Sequence, residues 1–223
     1  MNKKLLIEAI IKYLTGIFLV GILLFLPAGS FHYWNGWLFM ELLFIPMFFV
    51  GIFLMIKNKE LLRKRLNGKE RIKEQKNVIF ISGIMFLTGF ITSGLNYRYQ
   101  WITLSNSIVI ISSIVFLVAY LIYMEVLREN TYLSRTIEVE KDQKVITTGL
   151  YKIIRHPMYL ATILLFLSIP FILGSPISFF IFLIYPLIII KRIINEESVL
   201  EKELKGYKEY QKRTKYRLIP FVW

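Results

Sequence analysis

The sequence contains no cysteine and only two histidines among its 223 residues. Without cysteine, a chain has no disulfide, no cysteine nucleophile and no thiolate ligand for a metal ion. The two histidines, His32 and His156, fall on opposite sides of a membrane in the topology predicted below, so we expect no metal site. Any chemistry must then use carboxylates, arginine, tyrosine, one histidine or a bound cofactor.

Long apolar runs dominate the chain, of which 56% is hydrophobic. A helix needs about 20 apolar residues to cross a bilayer. Six runs approach that length, at 5–27, 34–56, 78–95, 104–127, 158–174 and 176–190. The sequence therefore predicts an all-α integral membrane protein with about six transmembrane helices. The fifth run is short, contains Pro170 and is separated from the sixth by only a few residues, so we expect these two helices to form a tight hairpin.

Acidic residues are scarce beside basic ones, and the net charge is +13. Such an excess can indicate a nucleic-acid partner, but the placement of the charges argues against one. Threading six spans puts 27 of the 28 lysines and arginines on one side, with only Arg98 opposite. The positive-inside rule then places both termini in the cytoplasm, and we expect the cytoplasmic membrane of a prokaryote. The basic side can also attract anionic lipid headgroups.

The spans divide the chain into two predicted regions. Residues 1–127 form four spans, with a solvated connection at 57–76 that has helix-forming composition around a turn at Asn67-Gly68. Residues 128–223 hold an ordered loop at 129–156, in which alternation near "EKDQK" also suggests a short strand pair, followed by the hairpin and a cytoplasmic amphipathic helix. We expect Gly206 to weaken that helix and Pro220 to end it.

Polar residues mark both ends of the predicted hairpin. Arg155 and His156 precede its first helix, and Glu196 and Glu197 end its second. Each pair alone is explained as a helix boundary or a solvated face, with Pro157 suited to a first helical turn. Because a hairpin returns the chain to its starting side, we expect the two pairs to be neighbours. An arginine, a histidine and paired carboxylates together would suit a zwitterionic ligand.

The same residues carry a family resemblance over roughly residues 130–223. The segments "TTGLYKIIRHPMYLA", "NEESVLEKEL" and "YKEYQKRTKYRLIP" resemble the isoprenylcysteine carboxyl methyltransferase family and its phospholipid N-methyltransferase relatives. Four parts of the family pattern occur in order: Gly149 with Tyr151; Arg155, His156, Pro157 and Tyr159; Glu196 with Glu197; and Arg217, Ile219 and Pro220. One departure is Ala161, where many relatives have glycine, although alanine still permits close helix approach.

The resemblance implies a membrane enzyme that uses S-adenosylmethionine to methylate a lipid-like acceptor. Arg155 and Glu197 are the expected catalytic residues. In this interpretation Arg155 and His156 suit the carboxylate of the cofactor, and Glu196 or Glu197 suits its ammonium. The expected cofactor-binding residues are Gly149, Tyr151, His156, Pro157, Tyr159, Glu196 and Glu197.

Two other function classes compete with this interpretation. The first is an NADPH-dependent sterol or steroid reductase, whose C-terminal region has a similar architecture. Such reductases typically carry asparagine before the motif tyrosine, where this chain has Met158. The second is a non-enzymatic scaffold or transporter. Transporters tend to show internal repeats and midplane charges, and here the best intramembrane candidate is Glu41 near the outer interface.

Overall fold

The structure, a computed structural model, describes residues 3–67, 73–133 and 139–223. Helices and turns make up these ranges, and no strand occurs within them. The all-helical class predicted from the apolar runs is therefore confirmed. Residues 134–138 of the predicted loop and Gly68 of the predicted turn lie outside the described ranges, whereas 140–144 forms a turn rather than a strand pair.

Four long helices form the N-terminal part of the bundle, and a short helix follows the second of them. They are α1 (Lys3–Ala28), α2 (Trp34–Lys57), α3 (Lys59–Leu66), α4 (Lys73–Tyr99) and α5 (Asn106–Glu129). The first three predicted runs each lie inside one of the long helices, and the fourth, 104–127, begins two residues before α5. Apolar composition over more than 20 residues is enough to specify a helix of this length in a bilayer.

The C-terminal part contains shorter elements. A 3₁₀ turn (Gly149–Lys152) precedes α6 (Pro157–Ile172), α7 (Pro176–Phe182), α8 (Ile184–Glu203) and α9 (Tyr207–Arg213). Pro157 and Pro176 each stand at the first helical turn, where a missing N–H costs nothing. The turn between α6 and α7 is only three residues long, as the predicted hairpin requires.

Five stretches in the described part of the chain are long and apolar enough to span a membrane. They are α1, α2, Lys76–Tyr99, α5 and Pro176–Glu203, and the last of these joins α7 to α8. The 16 residues of α6 extend about 24 Å at 1.5 Å per residue, less than the roughly 30 Å of a bilayer core. The predicted membrane protein is confirmed, and a sixth crossing by α6 stays a prediction.

The predicted C-terminal amphipathic helix is shorter than its pattern suggested. Helix α8 ends at Glu203, and Gly206 then adopts a φ of +88°, a conformation that breaks the helix before α9. Helix α9 ends at Arg213 rather than near Pro220. The chain leaves the helix there because the next carbonyls, those of Thr214 and Lys215, accept hydrogen bonds from the Arg155 guanidinium.

Two groups of buried apolar residues hold the bundle together. The larger lies along α1, α2, α4, α5, α6 and α8. The smaller lies where α3, the 3₁₀ turn and α9 meet the ends of α1, α2 and α5, and we call this part of the molecule the basic end. It packs Leu61 and Leu62 from α3 in one cluster with Tyr207 and Tyr210 from α9. Both predicted regions therefore contribute to it, and the boundary at 127/128 stays a prediction.

Polar side chains fix the hairpin turn at the opposite end of the bundle. The Tyr33 hydroxyl donates to the Leu173 carbonyl at 2.6 Å, and the Asn35 amide donates to the Ile172 carbonyl at 2.8 Å. Asn96 of α4 donates to the Gly174 carbonyl at 3.1 Å. These bonds satisfy carbonyls at the end of α6 that have no partner inside the helix. The hairpin is thus anchored far from the basic end, where its two open ends meet.

Candidate active site

The two polar pairs at the ends of the hairpin are in direct contact. Arg155, which precedes α6, donates from Nε to Glu197 Oε1 of α8 at 2.7 Å. Both side chains are buried, with exposures of 8% and 3%. A buried charge needs a partner of opposite sign, so this contact is a condition for burying either residue. The convergence expected from the hairpin topology is therefore present in the structure.

Glu197 is the centre of this ionic cluster. His156 Nε2 lies 3.0 Å from the same Oε1 atom, and Arg217 Nε donates to Oε2 at 2.8 Å. One carboxylate thus contacts two guanidinium groups and one imidazole. Both of its oxygens are engaged inside the protein, which limits its capacity to bind a ligand as well.

The C-terminal segment encloses the same cluster. The backbone N–H groups of Arg155 and His156 donate to the carbonyls of Tyr216 and Arg217, each at 2.9 Å. The Arg155 Nη1 atom also donates to the carbonyls of Thr214 and Lys215, each at 2.9 Å. Arg155 and His156, the two residues before α6, are thus held against residues 214–217. This pairing brings the motifs that begin at Arg155 and Arg217 together in the structure.

Glu196 has a different environment from its neighbour. Its Oε2 atom accepts a hydrogen bond from the Tyr159 hydroxyl, which in turn accepts one from Arg192 Nε at 2.9 Å. The side chains of Arg192, Tyr159 and Glu196 all line an open cleft at the basic end. Glu197 is absent from the walls of this cleft among the residues that the structure describes. Of the two adjacent carboxylates, the cleft presents Glu196.

The cleft has a volume of about 850 Å³, including space open to solvent. Its walls include six of the predicted site residues: Tyr151, Arg155, His156, Pro157, Tyr159 and Glu196. Two other predicted site residues, Gly149 and Glu197, lie behind these walls. The cleft therefore combines cations, a carboxylate and tyrosine rings in one cavity.

Gly149 supports the cleft from outside. It adopts a φ of +52°, and a Cβ atom placed on it would lie 1.9 Å from Oε2 of Glu129 at the end of α5. Only glycine adopts this positive φ without strain and also has no Cβ atom to collide with Glu129. The turn that it begins directs Tyr151 inward, where its hydroxyl accepts a hydrogen bond from the Asn130 amide at 2.9 Å. Burial raises the pKa of Tyr151, so its hydroxyl stays protonated at neutral pH.

A wall of the cleft comes from the loop at 139–148, and α3 supports that loop. Gln143, Lys144, Val145 and Ile146 line the cleft. Lys64 of α3 forms an ion pair with Glu140 at 2.5 Å. The next residue, Arg65, contacts the Tyr123 hydroxyl and the sulfur of Met158, which also lines the cleft. The N-terminal region, in which the sequence offers no motif, therefore contributes to the structure around the site.

Sequence reasoning missed several polar residues that line the cleft, among them Asn130, Arg192 and Tyr207. Arg192 lies one helical turn before Glu196, a spacing that could have indicated a shared face. Tyr207 belongs to an amphipathic pattern, which indicates a packing face rather than a ligand site. Asn130 lies at the end of α5, where no local pattern distinguishes it from a helix cap.

The chemistry of this donor set fits a zwitterionic, aromatic ligand. Glu196 offers a carboxylate for an ammonium, and His156 and Tyr207 offer groups that can donate to a carboxylate. The Tyr207 hydroxyl is buried and has no hydrogen-bond partner in the described part of the chain. An unsatisfied buried hydroxyl in a cleft wall points to a ligand that completes it. The residues present thus suit a cofactor that carries both a positive and a negative group.

Two comparisons with known proteins bear on this site. Residues 108–202 match the model of the isoprenylcysteine carboxyl methyltransferase (ICMT) family. A Delta(14)-sterol reductase of Mus musculus is 30% identical over 91 residues, which are 40% of this chain and 22% of that protein. This chain therefore corresponds to less than a quarter of the length of that relative. The resemblance stated from the motifs is confirmed over the matched residues.

Proposed function

We propose that this chain, whose residues 108–202 match the model of the isoprenylcysteine carboxyl methyltransferase family, transfers a methyl group from S-adenosylmethionine to a lipophilic acceptor. The observation that supports this function best is the cleft at the basic end, which combines Glu196, His156 and buried tyrosines. The cleft opens beside helices whose apolar faces are suited to a bilayer. A charged methyl donor and a lipid-soluble methyl acceptor can therefore both reach the cleft.

The residues of the cleft would hold the cofactor by charge and shape. Glu196 would bind its ammonium, and His156 would donate to its carboxylate. Tyr151 and Tyr159 offer ring faces for the adenine or for a positive charge, a contact worth about 0.5–2 kcal/mol. Bound S-adenosylmethionine would supply a methyl group that its sulfonium charge has already activated.

Arg155 and Glu197 would act through other residues. Their mutual bond fixes the segment before α6, and with it the positions of His156 and the first turn of α6. We therefore propose a positioning role for both residues. The remaining task of the protein is alignment of the acceptor and exclusion of water.

The acceptor determines whether a base is needed. A carboxylate acceptor is already a nucleophile, whereas an amine or a thiol must first lose a proton. His156 and Glu196 are the groups in the cleft that could take it. Lipid-like acceptors, such as a prenylcysteine carboxylate, an isoprenoid or a phospholipid headgroup, fit the membrane location.

Methyl transfer into lipids tests this function directly. Membranes that contain the protein would be incubated with S-adenosylmethionine labelled in its methyl group, and the lipids would be extracted and separated. We expect a labelled lipid product that is absent from membranes containing the His156→Ala variant. Equal labelling in both samples, or none with any lipid extract, would contradict the proposal.

A second candidate function is reduction of a sterol-like substrate with NADPH, which the mouse relative favours. The match covers a small part of that protein, and the family match supports methyl transfer instead. Titration calorimetry of the purified protein in detergent separates the two functions. Binding of S-adenosylhomocysteine, the product of methyl transfer, supports the first. Binding of NADPH without S-adenosylhomocysteine would favour the reductase.

A further inference from the structure

Helix α9 carries two buried tyrosines whose hydroxyl groups differ in one respect. Tyr207 and Tyr210 are each 4% exposed, and their ring centroids are 5.8 Å apart. The Tyr210 hydroxyl donates to the Tyr151 carbonyl at 2.8 Å. The Tyr207 hydroxyl has no partner among the residues that the structure describes. Packing explains both rings, but hydrogen bonding inside the protein explains only one hydroxyl.

An unsatisfied hydroxyl is unfavourable in a protein interior, where phenylalanine would fill the same space at no polar cost. Most buried hydroxyls in native proteins are therefore paired, and an unpaired one calls for a specific reason. Tyr207 lines the cleft, unlike Tyr210. A ligand in the cleft is a partner that the rest of the protein does not provide.

The charges around Tyr207 indicate which part of a ligand it meets. Tyr207 lines the cleft together with Arg155, His156 and Glu196, so it belongs to the part of the cleft that carries charged side chains. Burial raises the pKa of Tyr207, and the hydroxyl therefore stays protonated and can donate. Glu196 is the carboxylate that the cleft presents, and it suits an ammonium. A hydroxyl donor beside it suits the carboxylate of the same amino-acid group.

We propose that the Tyr207 hydroxyl donates a hydrogen bond to the amino-acid carboxylate of the bound methyl donor. Tyr207 lies beyond residues 108–202, so this contact comes from outside the region that the family match covers. The assignment rests on the proposed function, because it needs a ligand that carries such a carboxylate. It makes α9 part of the cofactor site rather than only a packing element.

Two ligands and two variants test the assignment by titration calorimetry of the intact protein in detergent. The ligands are S-adenosylhomocysteine and its decarboxylated analogue, which keeps the amine. Tyr207→Phe is expected to weaken binding of S-adenosylhomocysteine about tenfold, as for one lost hydrogen bond to a charged group. It should leave the affinity for the decarboxylated analogue unchanged. Tyr210→Phe is the matched control, and it should leave the ratio of the two affinities unchanged.

Thermal unfolding without ligand gives an independent readout. Tyr207→Phe should unfold at the same or a higher temperature than the original protein, because no internal bond is lost. Tyr210→Phe should unfold at a lower temperature, because the bond to the Tyr151 carbonyl is lost. A marked destabilisation by Tyr207→Phe would assign its hydroxyl to an internal partner and overturn the proposal.

The remaining outcomes distinguish this assignment from the proposed function. If the original protein binds both ligands and Tyr207→Phe keeps full affinity for S-adenosylhomocysteine, only the assignment fails. Equal weakening for both ligands would place the hydroxyl on another part of the cofactor and also overturn it. An original protein that binds neither ligand would overturn the proposed function, and the assignment with it.

Discussion

Adjacent side chains on one helix can have different tasks, and Glu196 and Glu197 of α8 illustrate this at the residue scale. Successive helical residues point about 100° apart. Glu197 is turned toward Arg155, His156 and Arg217, whereas Glu196 faces the cleft and bonds to Tyr159. We therefore propose that Glu197 gives structural support and that Glu196 binds the ligand.

Neutralising each carboxylate in turn tests that difference. Glu197→Gln leaves two guanidinium groups without their counter-charge, so we expect a loss of stability of about 3 kcal/mol or more. Glu196→Gln should instead weaken binding of S-adenosylhomocysteine about tenfold, because it removes a charged hydrogen-bond acceptor. Thermal unfolding and titration calorimetry in detergent measure the two effects.

Glu203→Gln is the control, because Glu203 is exposed at the end of the same helix. Glu203→Gln should change neither the stability of the protein nor its affinity for S-adenosylhomocysteine by more than the experimental error. If Glu197→Gln kept full stability and abolished binding, the carboxylate would contact the ligand itself. Its assignment as a positioning residue would then be incorrect.

At the scale of elements, α3 connects the first half of the chain to the cleft. Its Lys64 pairs with Glu140 in the loop that forms one wall, and both side chains are partly buried. Such pairs at intermediate exposure contribute modestly, of the order of 0.5–1 kcal/mol. A contribution of this size is too small to decide the fold, but it is large enough to change how often the loop opens.

Reversing the charge of Lys64 tests this connection. Lys64→Glu places a second carboxylate against Glu140, and we expect the dissociation rate of S-adenosylhomocysteine to rise several-fold because the loop opens more often. The double variant with Glu140→Lys restores an ion pair with opposite polarity and should recover most of the original rate. Stopped-flow competition between labelled and unlabelled ligand measures these rates. A double variant as fast as Lys64→Glu would show that the ion pair does not hold the loop.

At the scale of the whole molecule, the arrangement of charge bears on orientation. Nearly all lysines and arginines precede, connect or follow the helices at the basic end, and Arg98 lies at the opposite end. We propose that the basic end faces the cytoplasm, as the positive-inside rule requires. The proposed cofactor is soluble, so this orientation would also give it access to the cleft.

The absence of cysteine makes orientation simple to measure. His32→Cys and Lys205→Cys each introduce one thiol at an exposed position, the first at the opposite end and the second at the basic end. A maleimide that cannot cross membranes should label only His32→Cys in intact cells. Both variants should react after the membrane is dissolved. Labelling of Lys205→Cys in intact cells would reverse the proposed orientation.

Much of the architecture follows from local sequence. The four apolar runs of the N-terminal half specify α1, α2, α4 and α5, because uninterrupted apolar sequence leaves a helix as the only way to satisfy the backbone in a bilayer. The turn at 173–175 and the polar residues beside it indicate a hairpin. That topology is sufficient to predict the meeting of Arg155 with the glutamate pair.

Other features depend on distant contacts and are not visible in the sequence. Helix α9 ends at Arg213 because the Arg155 guanidinium donates hydrogen bonds to the next two carbonyls, which lie 59 and 60 residues away in the sequence. The role of α3 depends on a loop that local pattern does not place beside it. No local pattern indicates that Lys64 and Glu140 are neighbours.

The sequence by itself determined the helical membrane class, the charge asymmetry and the set of residues at the mouth of the hairpin. Apolar length and motif spacing are local properties, so they can be read directly. Only the tertiary structure decided that Glu197 is enclosed by its partners, that Glu196 faces the cleft and that the Tyr207 hydroxyl is unsatisfied. Those outcomes depend on which face each helix turns toward its neighbours, and packing across the whole bundle sets that rotation.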